Sequence, residues 1–343
     1  MSKRLKRLAA LARLLSSSMS EKTKILTIGK TVQDVFLTSE EFDPHKEGKM
    51  MYTHLPLGLK MEVEDVTFST GGNAGNVAVT LARQGLDVSY MWTLGHDPAS
   101  ETILRELDHE GIDTSHVVQK DHYQAGYSTI LIATNGERTI LNHRGVSTTS
   151  RGTDLDLSAI DDADWVYPTS LANGGIDLLR KIVDHAEKVG TKVMLNPAGP
   201  ELAEPDKLKV LLESVDILCV NKEEMQQLVH GETMEELVHH GLNLVPVVIV
   251  SDGPRGVVAS DGKTIVKAGM YQDVKVVDRT GAGDAFASGF LSQWILGKSL
   301  KDCIIFASAN STSVVQYIGA KTGILHHGVK LHSMPIHEQP IKA

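Results

Sequence analysis

The sequence predicts an α/β fold in which a mostly parallel sheet is flanked by helices and carries a second, smaller β-rich element. From Lys24 onward, short runs of β-branched residues alternate with longer segments of helical period, a pattern typical of parallel sheets covered by helices. The runs are almost continuously apolar, as in strands that are buried on both faces. Two stretches, 36–70 and 119–144, interrupt the alternation and predict the smaller element, placed at the carboxyl edge of the sheet.

The individual elements follow in chain order. The predicted strands are KILTIG, VSYMW, DWVYP, KVMLNP, VDILCVN and VPVVIVSDG. The predicted helices cover residues 76–84, 99–110, 175–189, 223–229, 283–296 and 300–316. Within 119–144 we expect a hairpin around Asn135–Gly136, because this pair tolerates positive φ. The core is assigned to 23–35, 71–118 and 145–330, and a C-terminal tail to 331–343.

Residues 1–22 form a basic leader that we expect to be disordered. The first twenty contain five basic residues and no acidic one. Leu8, Leu11 and Leu15 lie at helical spacing, but their apolar run is far shorter than the roughly 20 residues that a membrane span needs. The alternatives are a start at Met19, an organellar transit peptide and a helix on a membrane surface. We expect no transmembrane segment.

Composition and charge exclude several classes of protein. Hydrophobic residues at 41% and charged residues at 22% are typical of a globular chain and exclude a disordered one. The net charge of -9 becomes more negative without the leader, so the body lacks the clustered positive charge of a nucleic-acid-binding protein. Cys219 and Cys303 lie in apolar stretches and predict reduced core thiols, which favours a cytoplasmic protein.

The strongest candidate for a catalytic site is VVDRTGAGDAFASGF, residues 276–290. Gly281 and Gly283, on either side of Ala282, allow backbone N–H groups to point together at a helix N-terminus, an arrangement that binds anions. Asp284 lies at the mouth of this site, where a carboxylate is suited to deprotonate a hydroxyl group during phosphoryl transfer. The alternative is a tight glycine turn in which Thr280 and Asp284 cap the helix.

A second glycine turn offers groups that bind hydroxyls. In FSTGGNAGN, Gly71 and Gly72 precede a helix with Asn73 and Asn76 in its first turn. An amide can bond the hydroxyls of a polyol, and the glycines permit a ligand to approach closely. Asp34, in the predicted loop after the first strand, is a further candidate. The alternatives are an asparagine helix cap and a solvated turn residue.

Two further loops are candidates for nucleotide binding. Asn221 ends a predicted strand and Glu224 opens the next helix, where they are suited to hold a magnesium-bound phosphate through water. The same spacing fits a helix capping box, and the two interpretations are compatible. Ser251, Gly253 and Gly256 lie in a turn that can pass beneath a base and ribose.

One apparent motif is set aside. The segment IGKT contains Gly29, Lys30 and Thr31 in the order that ends a P-loop. The first glycine of a P-loop lies five residues before the second, and Lys24 occupies that position. A single glycine cannot form the phosphate cradle, so Lys30 is not assigned to a site.

Taken in order, GGNAGN, LNPAGP, NKEE, SDGPRG and DRTGAGDAFASGF resemble the motifs of the ribokinase-like carbohydrate kinases, also called the phosphofructokinase-B family. The resemblance runs from Lys24 to about Leu325. It implies a ribokinase-like, doubly wound sheet with a small β-sheet lid formed by 36–70 and 119–144, and ATP and magnesium as cofactors. It makes Asp284 the catalytic base and assigns the anion hole to Gly281, Ala282 and Gly283.

The resemblance also implies roles for the remaining motifs. The residues that would bind sugar hydroxyls are Asp34, Gly71, Gly72 and Asn76. Those that would hold the nucleotide are Asn221, Glu224, Ser251, Gly253, Gly256 and Asn310, with Glu224 reaching magnesium through water. Asp278 and Thr280 match a loop that binds a monovalent cation in some members, which makes potassium a candidate activator.

Two departures from the family pattern concern the sugar. Ribokinases proper usually place a carboxylate near the end of the third core strand, where this chain has Thr169 and Ser170. The predicted lid carries Arg138 and Arg144, and an arginine facing the cleft favours an acidic or phosphorylated sugar. The alternative is that both arginines are solvated.

The sequence therefore predicts an ATP-dependent sugar kinase that phosphorylates a hydroxymethyl group of a ribose-, fructose- or sugar-acid-like monosaccharide. A nucleoside kinase of the adenosine type is the first alternative, since Phe36, Tyr52, Tyr123 and Tyr127 are available to contact a purine. A catalytically silent binding protein of the same fold is the second. We expect a homodimer formed through the lid, because an exposed sheet edge favours pairing.

Overall fold

A large mixed sheet forms the centre of the protein, seen in a computed structural model that describes residues 22–148, 151–271 and 274–341. The leader, predicted at 1–22, lies outside these residues except for Lys22. In spatial order the nine strands of the sheet are β17 (Ile336–Pro340), β16 (Thr264–Ala268), β15 (Val257–Ser260), β14 (Val247–Ser251), β13 (Ile217–Asn221), β12 (Lys192–Leu195), β11 (Trp165–Pro168), β1 (Lys24–Ile28) and β6 (Asp87–Met91).

The six strands from β6 to β14 are parallel, which confirms the predicted parallel sheet. Their residues are almost all buried, since helices flank the sheet, and this burial explains the unbroken apolar runs in the sequence. β15, β16 and β17 continue the sheet in antiparallel fashion. The sequence analysis placed residues 336–340 in a tail, whereas they form the edge strand of the sheet.

The described residues contain nine α-helices, and all six predicted helices are found within three residues of their expected bounds. In chain order they are α1 (Asn73–Arg83), α2 (Pro98–His109), α3 (Gly175–Val189), α4 (Gly199–Leu202), α5 (Pro205–Leu212), α6 (Lys222–Leu228), α7 (Met234–Gly241), α8 (Ala282–Ile295) and α9 (Leu300–Val314). α4, α5 and α7 were not predicted. α5 begins with Pro205, and the Thr233–Glu236 capping box begins α7, so both had a local signal.

A second sheet of four strands forms the predicted lid. Its strands, in spatial order, are β10 (Arg138–His143), β9 (Gly126–Ile132), β2 (Val32–Thr38) and β5 (Asp65–Gly71). β9 and β10 form the expected hairpin, with Gly136 at φ 84° in its turn. β2 is the central strand that pairs with both β5 and β9. Two short pairs complete the structure: β3 (Pro44–Glu47) with β4 (Met50–Thr53), and β7 (Thr93–Leu94) with β8 (Val118–Gln119).

The position of Asp34 corrects the sequence analysis. Asp34 was expected in a loop and lies instead in β2, which begins at Val32 rather than near Phe36. The backbone of β2 pairs with β5 on one side and with β9 on the other, and both pairings include Gln33 and Asp34. The Gln33 side chain is also engaged, since its Nε2 donates to the Ser69 carbonyl at 2.7 Å. Tertiary pairing therefore extends the strand through residues whose local propensity is low.

Both cysteines are buried and reduced, as predicted. Burial raises the pKa of the Cys303 thiol to about 12 and raises the pKa of Cys219 further above its usual range. Neither thiol therefore has the thiolate character that reactivity requires. None of the helices in the described residues is both long enough and apolar enough to cross a membrane.

Candidate active site

A polar cleft of about 310 Å³ lies between the lid sheet and the first turns of α1 and α8. It is lined by Lys30, Val32, Asp34, Gly72, Asn73, Asn76, Ser128, Ile140, Asn142, Arg144, Thr280, Gly281 and Asp284. A second cavity, of about 330 Å³, lies beside α7 and β17 and is mostly aliphatic. The first cleft is the candidate active site, because it contains the predicted base and most of the predicted sugar-binding residues.

Asp284 is fixed in this cleft by the two asparagines of α1. Asn73 Nδ2 donates to Asp284 Oδ1 at 2.9 Å, and Asn76 Nδ2 donates to Oδ2 at 2.8 Å. Burial raises the pKa of the Asp284 carboxyl, against the opposing effects of these two hydrogen bonds and of the Lys30 ammonium. A carboxylate with a raised pKa at a fixed position is suited to accept a proton.

The glycine turn that precedes Asp284 has the conformation of an anion-binding loop. Gly281 has φ 76°, and an added Cβ would lie 2.4 Å from the Ala320 Cβ, so this position requires glycine. The N–H groups of Gly281 and Gly283 find no acceptor among the described residues. Ala282 differs from the prediction, because its N–H donates to the Arg279 carbonyl at 3.3 Å and is already used in the turn.

The predicted sugar-binding residues come together on the lid side of the cleft. The cleft is lined by Asp34, Gly72, Asn76 and Arg144. Gly71 lies next to the Asp34 carboxyl, and a Cβ added at Gly71 would lie only 2.2 Å from Asp34 Oδ2, so a larger residue there would displace that carboxyl. Burial raises the pKa of the Asp34 carboxyl, against the lowering effect of a hydrogen bond from Ser128. The Asn76 Oδ1 atom is buried and has no hydrogen-bond partner among the described residues, which leaves it able to accept from a ligand hydroxyl.

Two charged residues at the cleft were not predicted. Lys30 lines it from the loop after β1, although the sequence analysis set this lysine aside with the failed P-loop. Glu201 of α4 lies near Lys30 and is 1% exposed, and its carboxylate accepts from the N–H groups of Leu171 and Ala198. Only the fold brings these residues together, since 171 positions of sequence separate them.

The predicted nucleotide-binding residues lie at the carboxyl ends of β13 and β14. Asn221 and Ser251 are paired in register there, and Gly253 and Gly256 follow Ser251 directly. Asn221 Oδ1 accepts from the Glu224 N–H at 2.9 Å, and Glu224 Oε2 accepts from the Asn221 N–H at 2.8 Å. The capping box is therefore present, and it orients the Glu224 side chain at this edge of the sheet.

Asn310 lies in α9, outside the described lining of the cleft. Its side chain is 0% exposed, its Nδ2 donates to the Ala285 carbonyl at 2.8 Å, and its Oδ1 accepts from the Leu325 N–H at 2.8 Å. The amide thus joins α9 to α8 and to the segment after α9. Both polar atoms of the side chain therefore bond to the backbone, and the contact with a nucleotide that the resemblance implies stays a prediction.

The predicted cation ligands Asp278 and Thr280 are engaged with protein groups. Asp278 Oδ1 accepts from Arg138 Nη1 at 2.5 Å and from the Thr280 hydroxyl at 2.7 Å, and its Oδ2 accepts from the Gly319 N–H at 3.1 Å. The Arg138 guanidinium already neutralises this carboxylate. Potassium activation stays a prediction from the resemblance, and we derive no step through a monovalent ion.

Comparison with known proteins identifies the family. The family model "pfkB family carbohydrate kinase" matches residues 22–327. The chain belongs to this family. A ribokinase from Haemophilus influenzae is 29% identical over 78% of this chain and 88% of its own length, and an ATP-dependent ribose-1-phosphate kinase from Halopiger xanaduensis is 29% identical over 74% and 83%.

The fold agrees with this assignment. The solved structure of Arabidopsis thaliana ribokinase complexed with ribose and ATP matches with a TM-score of 0.72 and 23% identity, over 89% of this chain and 96% of that one. The pfkB chain described here is therefore a sugar kinase, a phosphotransferase with an alcohol group as acceptor. Both the predicted family and the predicted ribokinase-like fold are confirmed.

Proposed function

We propose that this pfkB-family protein transfers the γ-phosphoryl group of ATP to a hydroxymethyl group of a monosaccharide, with Asp284 as the base. The observation that carries the proposal is the Asp284 carboxylate, held by Asn73 and Asn76. It follows directly on the glycine turn, where the N–H groups of Gly281 and Gly283 have no acceptor among the described residues. These groups place a proton acceptor and an anion-stabilising site within one cleft.

The reaction follows from this arrangement. The acceptor oxygen forms a bond to the γ-phosphorus while the bond from that phosphorus to the β–γ bridging oxygen breaks, so ADP leaves with the bond's electron pair. Asp284 receives the hydroxyl proton, and the N–H groups of Gly281 and Gly283 stabilise negative charge on the transferred group. Asp34 and Asn76 orient the acceptor through its other hydroxyls.

The carboxyl ends of β13 and β14 are proposed to hold the nucleotide and magnesium. Glu224 is half-buried, and its second oxygen, Oε1, forms no hydrogen bond with a described residue, so it is able to accept from a metal-bound water. One carboxylate with water and phosphate ligands fits the usual coordination of magnesium. When bound, magnesium would neutralise charge on the β- and γ-phosphates.

The acceptor is proposed to be a sugar rather than a nucleoside. The relatives described above are named as kinases of ribose and of ribose 1-phosphate. The described lining of the cleft contains no aromatic side chain that would stack on a purine.

The test is ADP release with a panel of ribose, ribose 1-phosphate, fructose, sugar acids and adenosine. Turnover with adenosine alone would contradict the sugar assignment, and no turnover with any acceptor would favour a silent binding protein.

The pH dependence of the reaction tests the base. Burial raises the Asp284 pKa, so this carboxyl becomes protonated at a higher pH than an ordinary aspartate, whose pKa is about 4. A protonated base cannot accept the hydroxyl proton, and we expect kcat/KM to fall as the pH is lowered through this raised pKa. A pH–rate profile measures the acidic limb, and a limb at or below about pH 4 would contradict the assignment.

A homodimer through the lid is proposed from the register of the lid sheet. Asp34, Ser128 and Asn142 are paired in one row that faces the cleft, so the adjacent rows face outward. The outward rows carry apolar side chains that are exposed to solvent: the exposed fraction is 69% for Phe68 and 55% for Leu141. A second copy of the chain would bury them.

Phe68→Asp is expected to convert the dimer to a monomer, because it places a charge in this apolar face, which the interface would bury. Sedimentation velocity measures the mass of the wild type and the variant. Val210→Asp, at an exposed apolar position of α5, is the matched control and is expected to stay dimeric. A monomeric wild type would contradict the proposal.

A further inference from the structure

We propose that Lys30, together with Arg144, binds an anionic group of the acceptor, a phosphate or a carboxylate, and so makes this enzyme a kinase of acidic sugars. The inference rests on the proposed function and adds the substrate class. No sequence motif assigned Lys30 to this role.

Lys30 is a cation without a partner in the cleft. Its backbone N–H donates to the Ser170 carbonyl at 3.4 Å, which fixes the loop after β1, and its half-buried side chain lines the cleft. The ammonium forms no hydrogen bond or ion pair with any residue that the structure describes. Most partly buried lysines instead meet a carboxylate, as Lys321 does with Glu106 at 3.2 Å.

The surroundings of Lys30 favour an anion as its missing partner. Burial, followed by the nearby positive charge of Arg144, lowers the pKa of the Lys30 ammonium. The carboxylates of Asp284, Asp34 and Glu201 act in the opposite direction, but none of the three forms an ion pair with Lys30. The positive charges of Lys30 and Arg144 repel each other, and an anion bound beside both would offset this repulsion. Arg144 presents a planar guanidinium that matches the geometry of phosphate and carboxylate.

The position of Lys30 places this anion on the acceptor rather than on ATP. Lys30 follows β1, which is three strands away from β13 in the sheet. At roughly 4.8 Å per strand, about 14 Å separates the end of β1 from the end of β13, where the nucleotide is proposed to bind. Lys30 lines the same cleft as Arg144 and the proposed hydroxyl ligand Asp34, and both act on the Lys30 charge.

The test compares acceptors that differ only in charge. Ribose 1-phosphate and ribonate supply a phosphate and a carboxylate, and ribose is the neutral counterpart. We expect wild-type enzyme to show a kcat/KM at least about 10-fold higher with one of the two anionic probes than with ribose, and that probe identifies the anion. Binding of the same probes by calorimetry, without nucleotide, is expected to follow the same order.

Lys30→Gln is expected to lower kcat/KM for the preferred anionic probe about 10- to 100-fold more than for ribose, since a charge-assisted hydrogen bond is lost. Lys30→Arg retains the charge and is expected to restore part of the preference. Lys181→Gln removes an exposed lysine of α3 outside the cleft and is the matched control, expected to behave as wild type.

Two results would overturn the inference, and a third would overturn the proposed function on which it rests. Equal or better binding and turnover of ribose by wild-type enzyme would show that no anion is recognised while the kinase assignment stands. An equal loss with all probes in Lys30→Gln, together with weaker ATP binding, would place Lys30 on the transferred phosphoryl group. Absence of turnover with every acceptor would instead contradict the proposed function, and the calorimetric comparison would then still test whether the cleft prefers an anion.

Discussion

Asp284→Asn is expected to lower kcat by about 10²- to 10⁴-fold, the usual contribution of a general base. Asparagine has nearly the same shape as aspartate, and its oxygen can still accept from one of the two neighbouring asparagines. Its amide nitrogen faces the other one, and Asn76 can accept from it by turning its amide, because the Asn76 Oδ1 atom has no other partner among the described residues. The substitution removes the acceptor for the hydroxyl proton and leaves the groups at β13 and β14 unchanged. Steady-state kinetics and ATP binding by calorimetry measure the two effects separately.

The control for this variant is Asp206→Asn, which removes an equal charge from an exposed position in the first turn of α5. It is expected to retain the turnover and melting temperature of the wild type. Near-normal turnover of Asp284→Asn would remove Asp284 from the role of base. Loss of ATP binding in that variant would indicate that Asp284 shapes the anion site instead.

Gly281→Ala is expected to produce the second largest effect, on both activity and stability. The backbone at Gly281 has φ 76°, and the new Cβ would lie 2.4 Å from the Ala320 Cβ. Strain at this φ and the overlap together cost about 2–5 kcal/mol of folding free energy. Relief of the strain would displace the start of α8 and its N–H groups, and loss of one such donor lowers kcat by about 10²- to 10³-fold.

Gly283→Ala is the matched control for stability. A Cβ at Gly283 meets nothing within 4 Å, and the residue is helical, so alanine there is expected to preserve or raise the melting temperature. Thermal unfolding followed by circular dichroism measures both variants. Equal melting temperatures for wild type and Gly281→Ala would contradict the strain that the backbone geometry indicates.

Local motifs were predicted well, because their geometry depends on residues a few positions apart. The glycine turn before Asp284 has the expected left-handed residue, and Asn221 with Glu224 forms the expected capping box. The hairpin around Gly136 is likewise a local structure. In each case the hydrogen bonds or dihedral angles that define the motif lie within one turn of the chain.

Residues that depend on distant partners were predicted less well. Asp34 lies in a strand because β5 and β9 pair with β2 from both sides. Asp278 meets Arg138 across 140 positions of sequence, and Asn310 is held by Ala285 and Leu325. The sequence lists the polar groups of such residues, but only packing determines which partner each group meets.

The sequence by itself determined the parallel sheet, the lid hairpin and the family, because apolar periodicity and contiguous glycine motifs are local properties. Only the tertiary structure brought Lys30, Asn76 and Asp284 into one cleft, since they come from the loop after β1 and from two helices that are about 200 residues apart in the chain. Lys30 belongs to an incomplete P-loop in the sequence and to a charged binding cleft in the fold. The physical reason is that the charge, burial and pairing of a side chain depend on the whole set of neighbours that folding places around it.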